Sequence, residues 1–143
     1  MKIEILSFTG NLFKSETVES VTAMTKIGEV TILEGHTPLV TVLSPSIVSI
    51  VYTDDDGKKS EKDFAVGGGI LEVSNSNVKL LIDMLVSVDN LNVDEAEKAK
   101  KEALKLMGKY KDSKDKVDMD KFIAAEDMLL KSLVQLKLGD INK

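Results

Sequence analysis

The only histidine of the chain, His36, stands in the stretch GEVTILEGHTPLVT at residues 28–41, between Gly35 and the Thr37-Pro38 pair. An imidazole suits acid–base work or metal binding, but it needs company: a nucleophile to activate, a carboxylate to orient it, or further ligands. There is no second histidine and no cysteine, so a zinc or copper site would rest on carboxylates as co-ligands. Glu29 and Glu34 lie close in sequence, yet strand alternation does not by itself turn them toward the ring. His36 therefore reads as a structural or interface residue. No catalytic residue and no metal site is expected.

Two other stretches invite a chemical reading. Gly67-Gly68-Gly69 has the composition of a phosphate cradle, but that motif wants a lysine and a helix N-terminus after the glycines, whereas GGGILEV runs into a strand. A turn or bulge where backbones approach closely fits better. Asp54-Asp55-Asp56 lacks the spacing and the distal glutamate of a calcium loop, and reads as a solvated hairpin. From Lys98 to Lys116 eight lysines face only Glu102, Asp112 and Asp115. That run is either the wet face of a helix or an arm that meets an acidic partner.

Composition narrows the partners. With 143 residues, 43% of them hydrophobic, the chain can bury a core. Its net charge of -5 argues against nucleic acid, whose phosphates demand a basic surface. All 19 basic residues are lysines, so bidentate recognition of carboxylate or phosphate by arginine is excluded. Neither a signal peptide nor an apolar run near the ~20 residues of a membrane span is evident, and a soluble, cytoplasmic chain is expected.

The elements that must position these residues divide in two. Residues 1–83 carry period-two patterning: Ile3 and Ile5, Val30 and Ile32, then Val48, Ile50 and Tyr52, and finally Val78, Leu80 and Ile82. Turn signals fall between them at Thr9-Gly10-Asn11, Pro45-Ser46, Asp54 to Gly57, the triple glycine and Asn75-Ser76-Asn77, with Asp56-Gly57 a candidate tight hairpin. An all-β sandwich or flattened barrel follows. Residues 84–92 form a join, and 93–139 an antiparallel α-helical hairpin. Asn92 and Glu95 resemble a capping pair. Ala96, Ala99, Ala103, Leu106 and Tyr110 give the first helix a narrow face of mostly small residues that closes near Gly108. Phe122, Ala125, Leu129, Leu133 and Leu136 stripe the second, beside Ile123, Leu130 and Val134, with a stop near Gly139. On these residues alone the chain could be a free-standing β-sandwich adaptor whose basic hairpin binds an acidic protein.

A resemblance goes further. GEVTILEGHTPLVT, preceded by VESVTAMTK and followed by FAVGGGILEVSNSNVKLLID, resembles the signature of the epsilon subunit of bacterial-type F1Fo ATP synthase. That family carries a Gly-Glu, an Ile-Leu and a Gly-His-x-Pro-Leu, and later a Gly-Gly-x-Leu-Glu-Val. Domain order and length also fit, so the resemblance spans nearly the whole chain. It implies a non-catalytic rotor subunit of the central stalk, without a cofactor, that couples ion flow to ATP synthesis. The implied partners are the gamma subunit, the c-ring and the alpha and beta subunits of the F1 head, with membrane contact only through the complex, on the cytoplasmic face of the bacterial plasma membrane.

By position, the resemblance puts Gly28, Glu29 and Val30 against the c-ring and His36, Thr37 and Pro38 near gamma. Lys98, Lys100, Lys101, Lys105 and Lys109 would form the basic face with which the hairpin inhibits ATP hydrolysis. There are departures. Of the nucleotide motif that opens the hairpin in some members only Ile82 and Asp83 remain, followed by Met84-Leu85-Val86-Ser87, and no arginine exists to complete it. That removes the ground for expecting ATP sensing. Glu34 replaces a usual proline, and the second helix offers only Lys121, Lys131 and Lys137.

Overall fold

Branched and aliphatic side chains at alternate positions bury one face of a strand while leaving the other wet, and the first unit, Met1–Ser87, is built this way. The computed structural model describes residues 1–7 and 10–141; the turn expected at Thr9-Gly10-Asn11 therefore lies partly outside them. Ten strands run in order: β1 (Lys2–Ser7), β2 (Gly10–Ser15), β3 (Val18–Thr25), β4 (Gly28–Leu33), β5 (Leu39–Leu43), β6 (Ser46–Thr53), β7 (Lys59–Val66), β8 (Gly69–Ser74), β9 (Asn77–Ile82) and β10 (Leu85–Val86).

They form one sheet ordered β10-β7-β6-β3-β5-β8-β9-β1-β2, with β4 also paired to β3. The path folds at a corner. β3 pairs with β6 over Val18 to Thr22 but with β5 only at Thr25 and Leu43, because Ser44-Pro45 carries the chain from β5 into β6. Strands on either side of this corner contribute to a single core: Val21, Ile32, Val48, Ile50 and Val66 from one arm, and Ile3, Ile5, Leu71, Leu80 and Ile82 from the other. The expected sandwich is thus a curled sheet closing on itself. Phe13 of β2 meets Phe64 of β7 and Tyr52 of β6, at 5.3 and 5.9 Å between ring centroids, where the two arms come together.

Turn chemistry follows the local sequence. Asn75 and Ser76, both with positive φ, make a two-residue link between β8 and β9. Asp56-Gly57 closes the tight turn expected, with Gly57 at φ 79° and its N–H donating to the Asp54 carbonyl at 3.0 Å. The last strand pair of β6 and β7 is Thr53 with Lys59, and inside it the Asp54 N–H donates to the Lys58 carbonyl at 2.8 Å, which makes a short loop. Asp54 organises it by accepting from the N–H groups of Asp56 and Lys58 at 3.0 and 2.9 Å. Gly69 is obligatory: a Cβ there would stand 2.0 Å from the Leu81 carbonyl oxygen. The triple glycine serves a close approach of backbones, not a phosphate.

Within the stretch 84–92, Leu85 and Val86 pair with β7, and Val88–Asn90 make a single 3₁₀ turn. The second unit, Val88–Lys143, holds α1 (Val93–Tyr110) and α2 (Lys116–Ile141). Asn92 caps α1, its side-chain oxygen accepting from the Glu95 N–H at 3.1 Å. Asp115 does the same for α2 through the Val117 N–H at 2.8 Å. Both helices outrun their expected ends. α1 continues through Gly108 to Tyr110, and α2 passes Gly139 to Ile141, because Gly139 is a packing residue whose added Cβ would meet Leu91 Cδ2 at 3.3 Å. Of the expected stripe in α2, Ala125 is buried and Phe122, Leu129 and Leu136 are half-buried, whereas Leu133 is exposed. Ala125, Ser132, Val134 and Leu138 are buried, while Leu133, Ile123 and Leu130 are exposed. Ser132 takes the seam position by donating its hydroxyl to the Met128 carbonyl at 2.7 Å, which satisfies its polar group inside the helix.

Candidate functional site

The residues singled out around His36 meet in one place. The β3–β4 hairpin ends in Lys26-Ile27, and its tip is held by Thr25, which is only 5% exposed. The Thr25 hydroxyl donates to the Gly28 carbonyl at 2.7 Å and accepts from the Ile27 N–H at 3.2 Å. The Lys26 N–H donates to Val42 of β5 at 3.2 Å. So clamped, the tip projects Ile27 into solvent at 94% exposure. After β4, the His36 N–H donates to the Leu33 carbonyl at 3.1 Å. Gly35, at φ 84°, occupies the third position of this turn, where only glycine sits without strain. The turn carries the chain back alongside the hairpin into β5.

Between tip and turn lies a hollow of about 320 Å³ lined by Ile27, Gly28, Glu29, Val30, His36 and Leu39. Glu29 lines it and is exposed, and it takes no part in the ion pairs of the described residues. His36 lines it too and is half-buried; Nδ1 lies 2.6 Å from the Thr37 carbonyl. A carbonyl only accepts, so Nδ1 carries the proton and the Nε2 of a neutral ring is left as an acceptor. Thr37 and Pro38 are exposed beside the hollow without lining it. Ile27, Thr25 and Leu39 were not singled out by sequence; the one signal for the first was an isoleucine inside a turn, Lys26-Ile27-Gly28.

A second feature lies on the outer face of β5, β8, β9 and β1. Val42, Ile70, Leu81 and Leu6 stand opposite one another across those strands, and Val42, Ile70 and Leu81 are exposed. The neighbouring row reads Val40, Glu72, Lys79, Glu4, Lys14 across β5, β8, β9, β1 and β2, an alternation in which every charge faces its opposite.

The remaining candidates separate. Four of the five lysines, Lys98, Lys101, Lys105 and Lys109, recur at three- and four-residue spacing on one stripe of α1; Lys100 falls off that stripe and is half-buried. At the hairpin tip the ammonium groups of Lys109 and Lys121 both lie over the Tyr110 ring, at 5.2 and 5.3 Å. Ile82 belongs to the sandwich core and Asp83 is exposed at the end of β9. The Asp54 carboxyl is held below its ordinary value, chiefly by the Lys58 N–H, with desolvation opposing and the Ser60 hydroxyl and Asp56 N–H adding to the lowering; all of this serves the loop. Among the described residues no group of three or more His, Asp or Glu is placed to hold a metal.

Residues 1–88 match the ATP synthase delta/epsilon chain beta-sandwich domain family. The chain belongs to that family. ATP synthase epsilon chains are similar beyond the sandwich as well. That of Xanthomonas campestris pv. campestris (strain B100) is 31% identical over 137 residues, 96% of this chain and 94% of the relative. That of Hydrogenovibrio crunogenus is 37% identical over 103 residues, 72% and 67% of the two chains. The fold recurs in a chain of the Euglena gracilis mitochondrial ATP synthase structure of OSCP, F1 and c-ring, with a TM-score of 0.72 at 23% identity, covering 99% of this chain and 80% of that one. It recurs also in the central stalk and c-ring structure from Tetrahymena thermophila, with a TM-score of 0.64 at 15% identity. As an epsilon-type chain, the protein is a non-catalytic stalk subunit of the membrane-associated ATP synthase complex.

Proposed function

We propose that this epsilon-type chain sits in the central stalk, binds the gamma subunit and the c-ring below the alpha and beta subunits of the F1 head, and so couples ion flow to ATP synthesis. Its place would be the cytoplasmic face of a bacterial plasma membrane. The observation that carries this reading is the coverage of the epsilon-chain likeness, 96% of this chain, sandwich and helices together.

Gly28, Glu29 and Val30 face the ring in this reading, from a hairpin tip that is clamped by Thr25 and therefore presents a fixed shape. His36, Thr37 and Pro38 lie at the gamma side. Support for that side comes from β5, which starts at the same turn and carries Val40 and Val42 outward into solvent; an exposed apolar row continuous with a loop is suited to a protein partner. The basic stripe of α1 faces acidic surface on the F1 head, where lysine charge gives salt-sensitive attraction. ATP binding by the hairpin is not part of the proposal, because Ile82 is a core residue and no arginine is present.

Reconstitution tests the reading in two stages. The purified chain should bind gamma, and failure to bind under any salt condition rejects the stalk position. Removing residues 88–143 from the assembled complex should then raise ATP hydrolysis; an unchanged rate rejects inhibition by the hairpin while leaving the stalk position standing.

A further inference from the structure

Resting on the reading of the helical unit as a brake on ATP hydrolysis, we infer that β10 is a detachable strap: paired with β7 it keeps the helices on a short tether, and its release is the step that lets them reach the F1 head. Leu85 and Val86 are then positioning residues for inhibition, although neither touches the head.

The join between the units is fastened along its length. The Met84 carbonyl accepts from the Gly67 N–H at 3.1 Å, and Leu85 and Val86 lie opposite Val66 and Ala65. Val88–Asn90 are coiled in a 3₁₀ turn, which the Leu91 N–H closes on the Val88 carbonyl at 3.4 Å. Leu91 in turn lies so near Gly139 of α2 that an added Cβ there would stand 3.3 Å from its Cδ2. Extra reach must come from undoing one of these fastenings, and lengths decide which. Drawing the 3₁₀ turn out to extended chain gains roughly 4 Å, since the rise per residue goes from about 2.0 to about 3.3 Å. Freeing Met84, Leu85, Val86 and Ser87 moves the anchor back to Asp83 and adds on the order of 13 Å, about three times as much. β10 is also easy to give up and to take back. It is two residues long and pairs with β7 alone among the described residues, so few hydrogen bonds hold it. Leu85 is half-buried against the sandwich core, and Ala65 and Val66 opposite the strap are fully buried. Release uncovers apolar surface at this edge, which draws the strap closed again whenever nothing competes for the helices.

The test is a staple. The chain has no cysteine, so Ala65→Cys with Val86→Cys, directly opposite in the antiparallel pair, gives it a single thiol pair at a spacing that accepts a disulfide. Oxidation of the isolated chain before assembly holds the strap on, and a reductant frees it. In the complex carrying the oxidised pair, ATP hydrolysis should rise to the level reached by removing residues 88–143 and fall back on reduction. Either single variant should stay at the unaltered level, and gamma affinity should be the same in both redox states. Leu85→Ser, which weakens the seat without a crosslink, should lower hydrolysis severalfold and speed amide exchange at Gly67. Equal hydrolysis by the oxidised and reduced complexes, where removal of 88–143 does raise it, overturns the strap and leaves the brake standing. A pair that fails to oxidise in the isolated chain also overturns it, because closed is the resting state. If removal of 88–143 changes nothing, the brake reading itself fails, and the strap with it.

Discussion

The sandwich and the helical unit are held together by different materials. The first buries Ile3, Ile5, Ile32, Ile50, Leu71 and Leu80 at essentially zero exposure. The second buries Ala96, Ala103, Ala125 and Ser132, with Val134 and Leu138 as its larger members. Burial free energy scales with apolar area, roughly 25 cal/mol per Å², so each branched residue of the sandwich contributes more than each alanine or serine of the seam. Small residues allow close helix approach but release little on docking. One chain therefore combines a unit cored by branched side chains, which presents the candidate site, with a helical unit whose fully buried seam is made mostly of small residues.

Substitutions that break or sharpen this contrast fall in a definite order. Leu80→Ala, in the sandwich core, should lower stability by about 2–5 kcal/mol, seen as a large drop in the denaturant midpoint of the strand signal. A loss no larger than that of an equivalent change in the helices would erase the distinction. Gly69→Ala should cost about 1–3 kcal/mol, since the carbonyl it meets is backbone and cannot swing away. Helical signal should survive it. Asn92→Ala should cost about 1 kcal/mol and act on the other unit alone, raising amide exchange along the first turns of α1 while the strands stay protected. Spread of that exchange into β6 or β9 would show that the two units unfold as one.

The smallest effect concerns acid. The Asp54 carboxyl sits below its ordinary 3.8 in the folded chain and returns to it on unfolding. Its contribution is present above that ordinary value and is lost as the pH falls through the lower folded one. Asp54→Asn should therefore remove a slight acid-dependent loosening of the β6–β7 loop, read as a shift in local exchange below the usual carboxylate range and none at neutral pH.

Much of this was legible from local pattern. Ile3, Ile5, Val48, Ile50, Val78, Leu80 and Ile82 alternate cleanly because their strands keep one face inward throughout. β3 hid itself: its register slips between Val18 and Ser20, so the inward set runs Val18, Val21, Ala23, Thr25 and breaks period two. β7 is polar at first and then buries Phe64, Ala65 and Val66 in succession, which no alternation rule anticipates. In α2 the leucines drew the stripe to Leu133. The seam instead needed a small residue at that level, and Ser132 supplied one.

The sequence by itself determined the two-part architecture, the absence of cysteine, arginine and second-histidine chemistry, the cap at Asn92 and the family likeness carried by two separated motifs. These are properties of composition and short-range spacing, which survive in any conformation. Only the tertiary structure decided that Glu29 and His36 share a hollow, that Gly69 stands against the Leu81 carbonyl, and that Val42, Ile70, Leu81 and Leu6 align as one row across four strands. Such juxtapositions depend on strand register and on the corner at Ser44-Pro45, where residues distant in sequence are fixed within contact by hydrogen bonds that no local pattern encodes.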